Sequence, residues 1–230
     1  MEETLLTALA LIPALVIAIV FHEVAHGWTA LMLGDPTAKE RKRLSLNPIR
    51  HVDVFGTLIL PGMLALSGLP VFGWAKPVPV IKQRLRNPRY GMMAVAVAGP
   101  GTNLVLAAIG ALLLGLLLRP YSGLQEPTGL PAFLVLVLIN FLSINVFLAL
   151  FNLLPIPPFD GSHIVEGLLP ARAARAYEKL RPFGFILFFG MLLVVPMVMP
   201  SWNIIDRVVL PPVSWALDHF LSLARWAAGE

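Results

Sequence analysis

The sequence predicts an all-α polytopic membrane protein with about 4–6 transmembrane helices, and a re-entrant or interfacial hairpin or short strands between the first two long spans. Three observations predict it. The chain of 230 residues is 57% hydrophobic and only 13% charged, about half the charged fraction of a soluble domain. Several apolar runs reach the roughly 20 residues needed to cross a bilayer. The basic residues gather in the short segments between those runs, as orientation signals do.

The first span runs from about Thr4 to Leu33, with Pro13 placed to bend its first half, and stops at Gly34-Asp35-Pro36. It is longer than a signal-peptide core, follows Glu2 and Glu3, and shows no convincing cleavage site, so it is expected to stay in the mature protein. A basic loop, Lys39 to Arg43, leads into the polar stretch SLNPIRHVDVFG. The next stretch, TLILPGMLALSGLPVFGW, is apolar but broken by Pro61, Gly62, Gly68, Pro70 and Gly73. If residues 57–73 crossed the membrane, Lys76, Lys82, Arg84, Arg86 and Arg89 would lie opposite the first basic loop, against the positive-inside rule. A hairpin keeps both basic segments on one side, and irregular backbone is tolerated at depth where protein covers it.

Two strong spans follow, about Met92 to Leu118 and Pro131 to Leu154, joined by a turn over 119–130. Residues 160–182 read as a polar, basic connection containing an amphipathic helix, and Phe183 to Met199 as a further span. Residues 201–230 read as an interfacial helix or a poor final span. There is no internal repeat and no soluble domain, so 1–230 reads as a single integral-membrane domain. With the basic segments cytoplasmic, the first span runs inward and the span ending near Leu154 descends to the same side.

Composition also excludes. The net charge of +4 comes without aromatic–basic interleaving, so nucleic acid is not expected as a partner. With no cysteine there are no disulfides, and any transition metal must be held by histidine, carboxylate or water.

His22, Glu23 and His26 are the ionisable side chains of the first apolar run. Such groups are costly at membrane depth and face a protein interior or a cavity. They fit the HExxH pattern: residues four apart share a helix face, so both imidazoles can hold one metal ion, with Glu23 beside them as a base. Zinc lowers the pKa of a coordinated water to about 7 and uses three protein ligands plus an open position. Remaining histidines are His51, His163 and His219, and nearby carboxylates are Asp35, Asp53, Asp160 and Glu166. Asp160 stands out by context. It follows the proline-rich end of a span, NLLPIPPFDG, where an extended strand could carry it back toward the first helix.

Three motifs in order, FHEVAHG at 21–27, AGPGTN at 98–103 and NLLPIPPFDG at 152–161, make the sequence resemble the site-2 protease family of intramembrane zinc metalloproteases. SLNPIRHVDVFGTLILP and GWAKPVPV resemble its short prokaryotic branch, which lacks PDZ and CBS domains. The resemblance implies one Zn2+ per chain held by His22, His26 and Asp160, with Glu23 as general base and acid. It also implies transmembrane protein or peptide substrates in the lipid bilayer, and regulated intramembrane proteolysis. A multi-pass protein of the cell membrane is expected, its active site toward the cytoplasm. Gating by another protein or by homo-oligomerisation stays open.

Asn103 reads either as a group that bonds substrate or the oxyanion, or as a helix-packing amide beside Gly99 and Gly101. Asn152 reads the same way, with positioning of the Asp160 segment as its alternative. His51 and Asp53 line an entrance or make loop hydrogen bonds; His163 orients Asp160 or lies at the surface. PVPV at 77–80 reads as part of an edge that captures unwound substrate or, with Trp74, as an interfacial anchor. Competing functions are a metal-binding transporter, a non-proteolytic helix-binding scaffold, and an HExxH protease of another lineage using Glu166 as third ligand.

Overall fold

The computed structural model describes residues 2–66, 74–121, 126–190, 195–198 and 205–230. Helix α1 (Glu2–Met32) is followed by a short α2 (Thr37–Glu40) and by helical residues 54–66, which end in α3 (Leu60–Leu66). Then come α4 (Pro88–Leu118), α5 (Leu130–Asn152), α6 (Asp160–Leu168) and α7 (Ala171–Glu178). The chain continues with α8 (Gly184–Phe189), α9 (Val195–Val198) and α10 (Leu210–Ala228). Among the described residues there is no β-strand.

Among the described residues, three helices are long and apolar enough to cross a membrane: Leu6–Met32, Pro88–Tyr121 and Leu130–Asn152. The all-α membrane architecture read from the sequence is therefore present. Helical residues 54–66 extend ~20 Å at 1.5 Å per residue, short of the ~30 Å hydrocarbon core; the rest of the expected hairpin, 67–73, lies outside the described residues. The expected span at 183–199 includes 191–194 and 199, also outside them.

Helix α4 is the centre, packing on α1, α5, α6 and α10. The reason lies in side-chain size. On α1, Ala10, Ala14, Ala18, His22, His26 and Ala30 recur every fourth residue and are all buried. Positions four apart form one ridge, and small residues let helices approach closely where lipid offers no hydrophobic drive. The opposite face, with Leu9, Ile12, Phe21, Trp28 and Met32, is exposed. The two histidines thus continue an alanine ridge pressed against α4.

Helix α4 answers with Gly99, Ala107, Gly110, Ala111 and Gly115. A Cβ on Gly115 would overlap the carbonyl of Ala224 on α10. Val213 and Ala216 pack at the level of Ala107 and Val146, and Ala224 at the level of Ala111 and Leu142. Hence α10 runs parallel to α4 inside the bundle, with Trp215 and Trp226 exposed.

The segment 153–159 is not the extended strand expected. It turns, with Phe159 N donating to Ile156 O (3.1 Å) and Ser162 N to Phe159 O (3.0 Å). Its prolines lack the N–H groups a ladder would need. Asp160 instead opens α6, and a Cβ on Gly161 would overlap the Leu153 and Leu154 carbonyls, so the glycine lets the chain reverse tightly.

Candidate metal centre

His22 and His26 point the same way from α1, and their outer ring nitrogens are both tied to α4. His26 Nδ1 lies 2.7 Å from the Val95 carbonyl, which can only accept, so Nδ1 carries the proton. Asn103 Nδ2 donates to Ala18 O (3.2 Å) and to Asn145 Oδ1 (2.8 Å). That fixes the amide's orientation and turns its Oδ1 toward His22 Nδ1, 2.6 Å away, which donates to it. Asn145 is held in turn by donating to Phe141 O at 2.8 Å. In its neutral form each imidazole is therefore the Nδ1–H tautomer, with a lone pair on Nε2.

Those lone pairs converge. The two Nε2 atoms are 3.0 Å apart, and Asp160 Oδ2 lies 3.2 Å from one and 3.3 Å from the other. Neutral rings of this tautomer have no Nε2 proton to give, so in that state these approaches bring acceptor atoms together. Asp160 Oδ2 is buried with no hydrogen-bond partner. Three electron-rich atoms facing one another repel unless a cation lies among them. A tetrahedral zinc with ligands at ~2.0–2.1 Å separates neighbouring donors by ~3.3–3.4 Å, close to the triangle observed. The donor set fits zinc with its fourth position open.

Gly99 makes the room. A Cβ there would overlap His26 Nε2 and the Cε1 atoms of both rings, whereas one on Gly101 would meet nothing. In the AGPGTN stretch, then, Gly99 gives space and Asn103 gives the hydrogen bond. Asn103 is fully buried and both its N–H groups are spent within the bundle, which leaves no donor for substrate or an oxyanion. Asn152 donates to Leu148 O of its own helix at 2.9 Å.

The other carboxylates are engaged elsewhere. Glu166 is gripped by Lys82 and Arg181; burial pushes its carboxyl up, but the two cations outweigh that and hold it below the usual range. Asp35 accepts from Thr37 N (3.0 Å), from the Thr37 hydroxyl and from Ile81 N (2.6 Å). Asp53 accepts from Gly56 N at 2.7 Å. His51 donates to Ser45 O at 2.7 Å, and His219 sits on an exposed stretch of α10. His163 faces Arg181 at 3.2 Å; burial and that guanidinium hold its pKa down at about 4.

Sequence reasoning missed the Val95 and Ala18 carbonyls, Asn145, and the amide of Val78, which donates to Glu23 Oε2 at 2.7 Å. Asn145 had a signal, as an amide in the middle of an apolar span. The carbonyls had none.

A membrane helix bundle with HExxH on a spanning helix, completed by a carboxylate from the first residue of a distant helix, has the make-up of a membrane metallopeptidase. The comparisons agree. The model of peptidase family M50 matches residues 127–196. "Putative zinc metalloprotease YwhC" of Bacillus subtilis is 40% identical over 205 residues, covering 86% of this chain and 87% of that protein. "Putative zinc metalloprotease Rip2" of Mycolicibacterium smegmatis is 30% identical over 198 residues, covering 86% and 68%. No solved structure matches the chain. The chain belongs to the M50 peptidases, the site-2 protease family, and is a membrane zinc metalloprotease.

Proposed function

We propose that the chain is an intramembrane endopeptidase that hydrolyses peptide bonds of membrane-embedded proteins in regulated intramembrane proteolysis. One Zn2+ is held by His22, His26 and Asp160. The observation that carries this reading is the triangle of lone pairs, 3.0, 3.2 and 3.3 Å on its edges, with both tautomers fixed from behind. Bound there, zinc supplies the Lewis acidity that makes water a nucleophile near neutral pH and polarises a peptide carbonyl. Glu23, next to His22, takes a proton from the attacking water and delivers it to the departing amine, so one water is consumed per bond cut. Asn103 and the Val95 carbonyl hold the rings in the tautomer that leaves both Nε2 atoms free.

The site faces the cytoplasm. Supporting this, the three basic segments meet at one end of the bundle: Arg43 donates to Lys76 O, Lys82 and Arg181 share Glu166, and Arg89 donates to the Gly167 and Leu169 carbonyls. Positive charge marks the cytoplasmic side. From His22 and His26 to the end of α1 at Met32 is ~15 and ~9 Å along the axis, which sets the chemistry below the membrane surface. Residues 1–230 act as one domain, since α1, α4, α5 and α6 all contribute to the site.

The test is zinc content of detergent-purified wild type, Asp160→Ala and Glu23→Gln, with cleavage of a single-span substrate in parallel. One zinc per chain in wild type, loss in Asp160→Ala, and an inactive Glu23→Gln that keeps zinc are expected. Full zinc retention by Asp160→Ala removes Asp160 as a ligand.

A further inference from the structure

Ahead of α4 the chain runs over α1 as WAKPVPVI, residues 74–81, without helical structure until Lys82. Prolines at 77 and 79 fix their own φ and bias Lys76 and Val78 toward extended conformations. The strap is tied along its length. Trp74 N donates to Gly56 O (3.1 Å), Lys76 N to His51 O (2.9 Å) and Ile81 N to Asp35 Oδ2 (2.6 Å). Arg43, itself buried, places Nη2 at 2.5 Å from Lys76 O and 3.4 Å from Pro77 O. Burial disfavours its charge, and the Glu23 carboxylate acts in the opposite sense.

One peptide unit in this strap is singled out. The Pro77–Val78 carbonyl faces Arg43 and its N–H donates to Glu23 Oε2 at 2.7 Å. Within 77–79 only Val78 has an N–H to give, since both neighbours are proline. The sequence offers a single donor at this point, and it goes to the glutamate of HExxH. Gly27 permits the approach: a Cβ there would lie 2.9 Å from Val78 Cγ1 and closer still to Leu44. The glycine that closes FHEVAHG lets the strap lie on the helix carrying Glu23.

We propose that the Val78 amide is a positioning donor for the general base, with Arg43 holding the strap that presents it. A glutamate side chain has three rotatable bonds. A rigid backbone N–H on one carboxylate oxygen fixes them and leaves the second oxygen for the attacking water. The strap therefore spends at Glu23 one of the two N–H groups, those of Val78 and Val80, that PVPV could have offered to a paired substrate strand. This inference rests on Glu23 being the base.

The test is Val78→Pro, which removes the N–H from a backbone already extended between prolines, beside Val78→Ala, which keeps it. Both are assayed as the full chain in detergent for zinc content, KM and kcat, with Glu23→Gln as control. In Val78→Pro, kcat is expected to fall about 10- to 100-fold, the size of a hydrogen bond to a charged group, with KM and zinc unchanged; Val78→Ala recovers most of the rate. Wild-type or raised kcat in Val78→Pro, with Glu23→Gln inactive, overturns this inference alone. An active Glu23→Gln overturns the proposed mechanism as well. If Val78→Pro loses zinc, an amide-to-ester replacement at position 78 decides on the same terms.

Discussion

Asn103→Ala tests whether the buried amide belongs to the metal or to the substrate. The change deletes an acceptor 2.6 Å from His22 Nδ1 and leaves that N–H buried without a partner. It also strips donors from Ala18 O and Asn145 Oδ1, at 3.2 and 2.8 Å. Partners behind a ligating histidine are typically worth ~10–100-fold in metal affinity. The zinc dissociation constant, measured by competition with a chelator in detergent, should therefore rise by about that factor. Asn103→Asp restores an acceptor for His22 while still losing the donors, so it should regain part of the affinity but not the stability. Zinc affinity within about twofold of wild type, with kcat lowered by ~10²–10³, would refute this reasoning. It would return Asn103 to the oxyanion role that its motif also suggested.

Gly99→Ala should improve helix propensity by up to ~1 kcal/mol yet abolish stoichiometric zinc, because the new Cβ falls on both imidazoles; circular dichroism beside metal analysis separates the two effects. Acid should destabilise the fold through His163, whose folded pKa of about 4 lies below the unfolded 6.5. Between those values the unfolded chain binds a proton that the folded one refuses, so stability falls as pH drops from about 6.5 toward 4 and is unaffected above that window. Thermal melts of wild type and His163→Gln across it should diverge, the variant being flatter.

Much of the site was legible because ionisable groups in an apolar run must be explained. His22, Glu23 and His26 declare themselves by cost and spacing, and Asp160 by the prolines that end its span. The partners were not legible. His26 Nδ1 is satisfied by a backbone carbonyl 69 residues away, and every residue has one. For the fold, apolar length gave α1, α4 and α5, while α10 was ambiguous. Its charges argued for the surface, yet Ala216, Ala224 and Ala228 form the face that packs inward. The alanine ridge of α1 was equally readable as a four-residue repeat of small side chains, since such repeats mark helix contacts in membranes.

The polar layer at the level of His22 shows why these residues come as a set. Around it α1, α4 and α5 bring together two imidazoles, two amides and the Ala18, Val95 and Phe141 carbonyls, a costly collection at that depth. Its donors are matched: the two Nδ1–H groups go to Asn103 and Val95, the Asn103 amide to Ala18 and Asn145, and the Asn145 amide to Phe141. At its centre the two Nε2 atoms and Asp160 Oδ2, the latter without a hydrogen-bond partner, face one another. A helix-packing network with no other purpose could have ended on an apolar side chain instead. This one spends its hydrogen bonds on holding both histidines with Nε2 turned toward Asp160, which is the arrangement a cation requires.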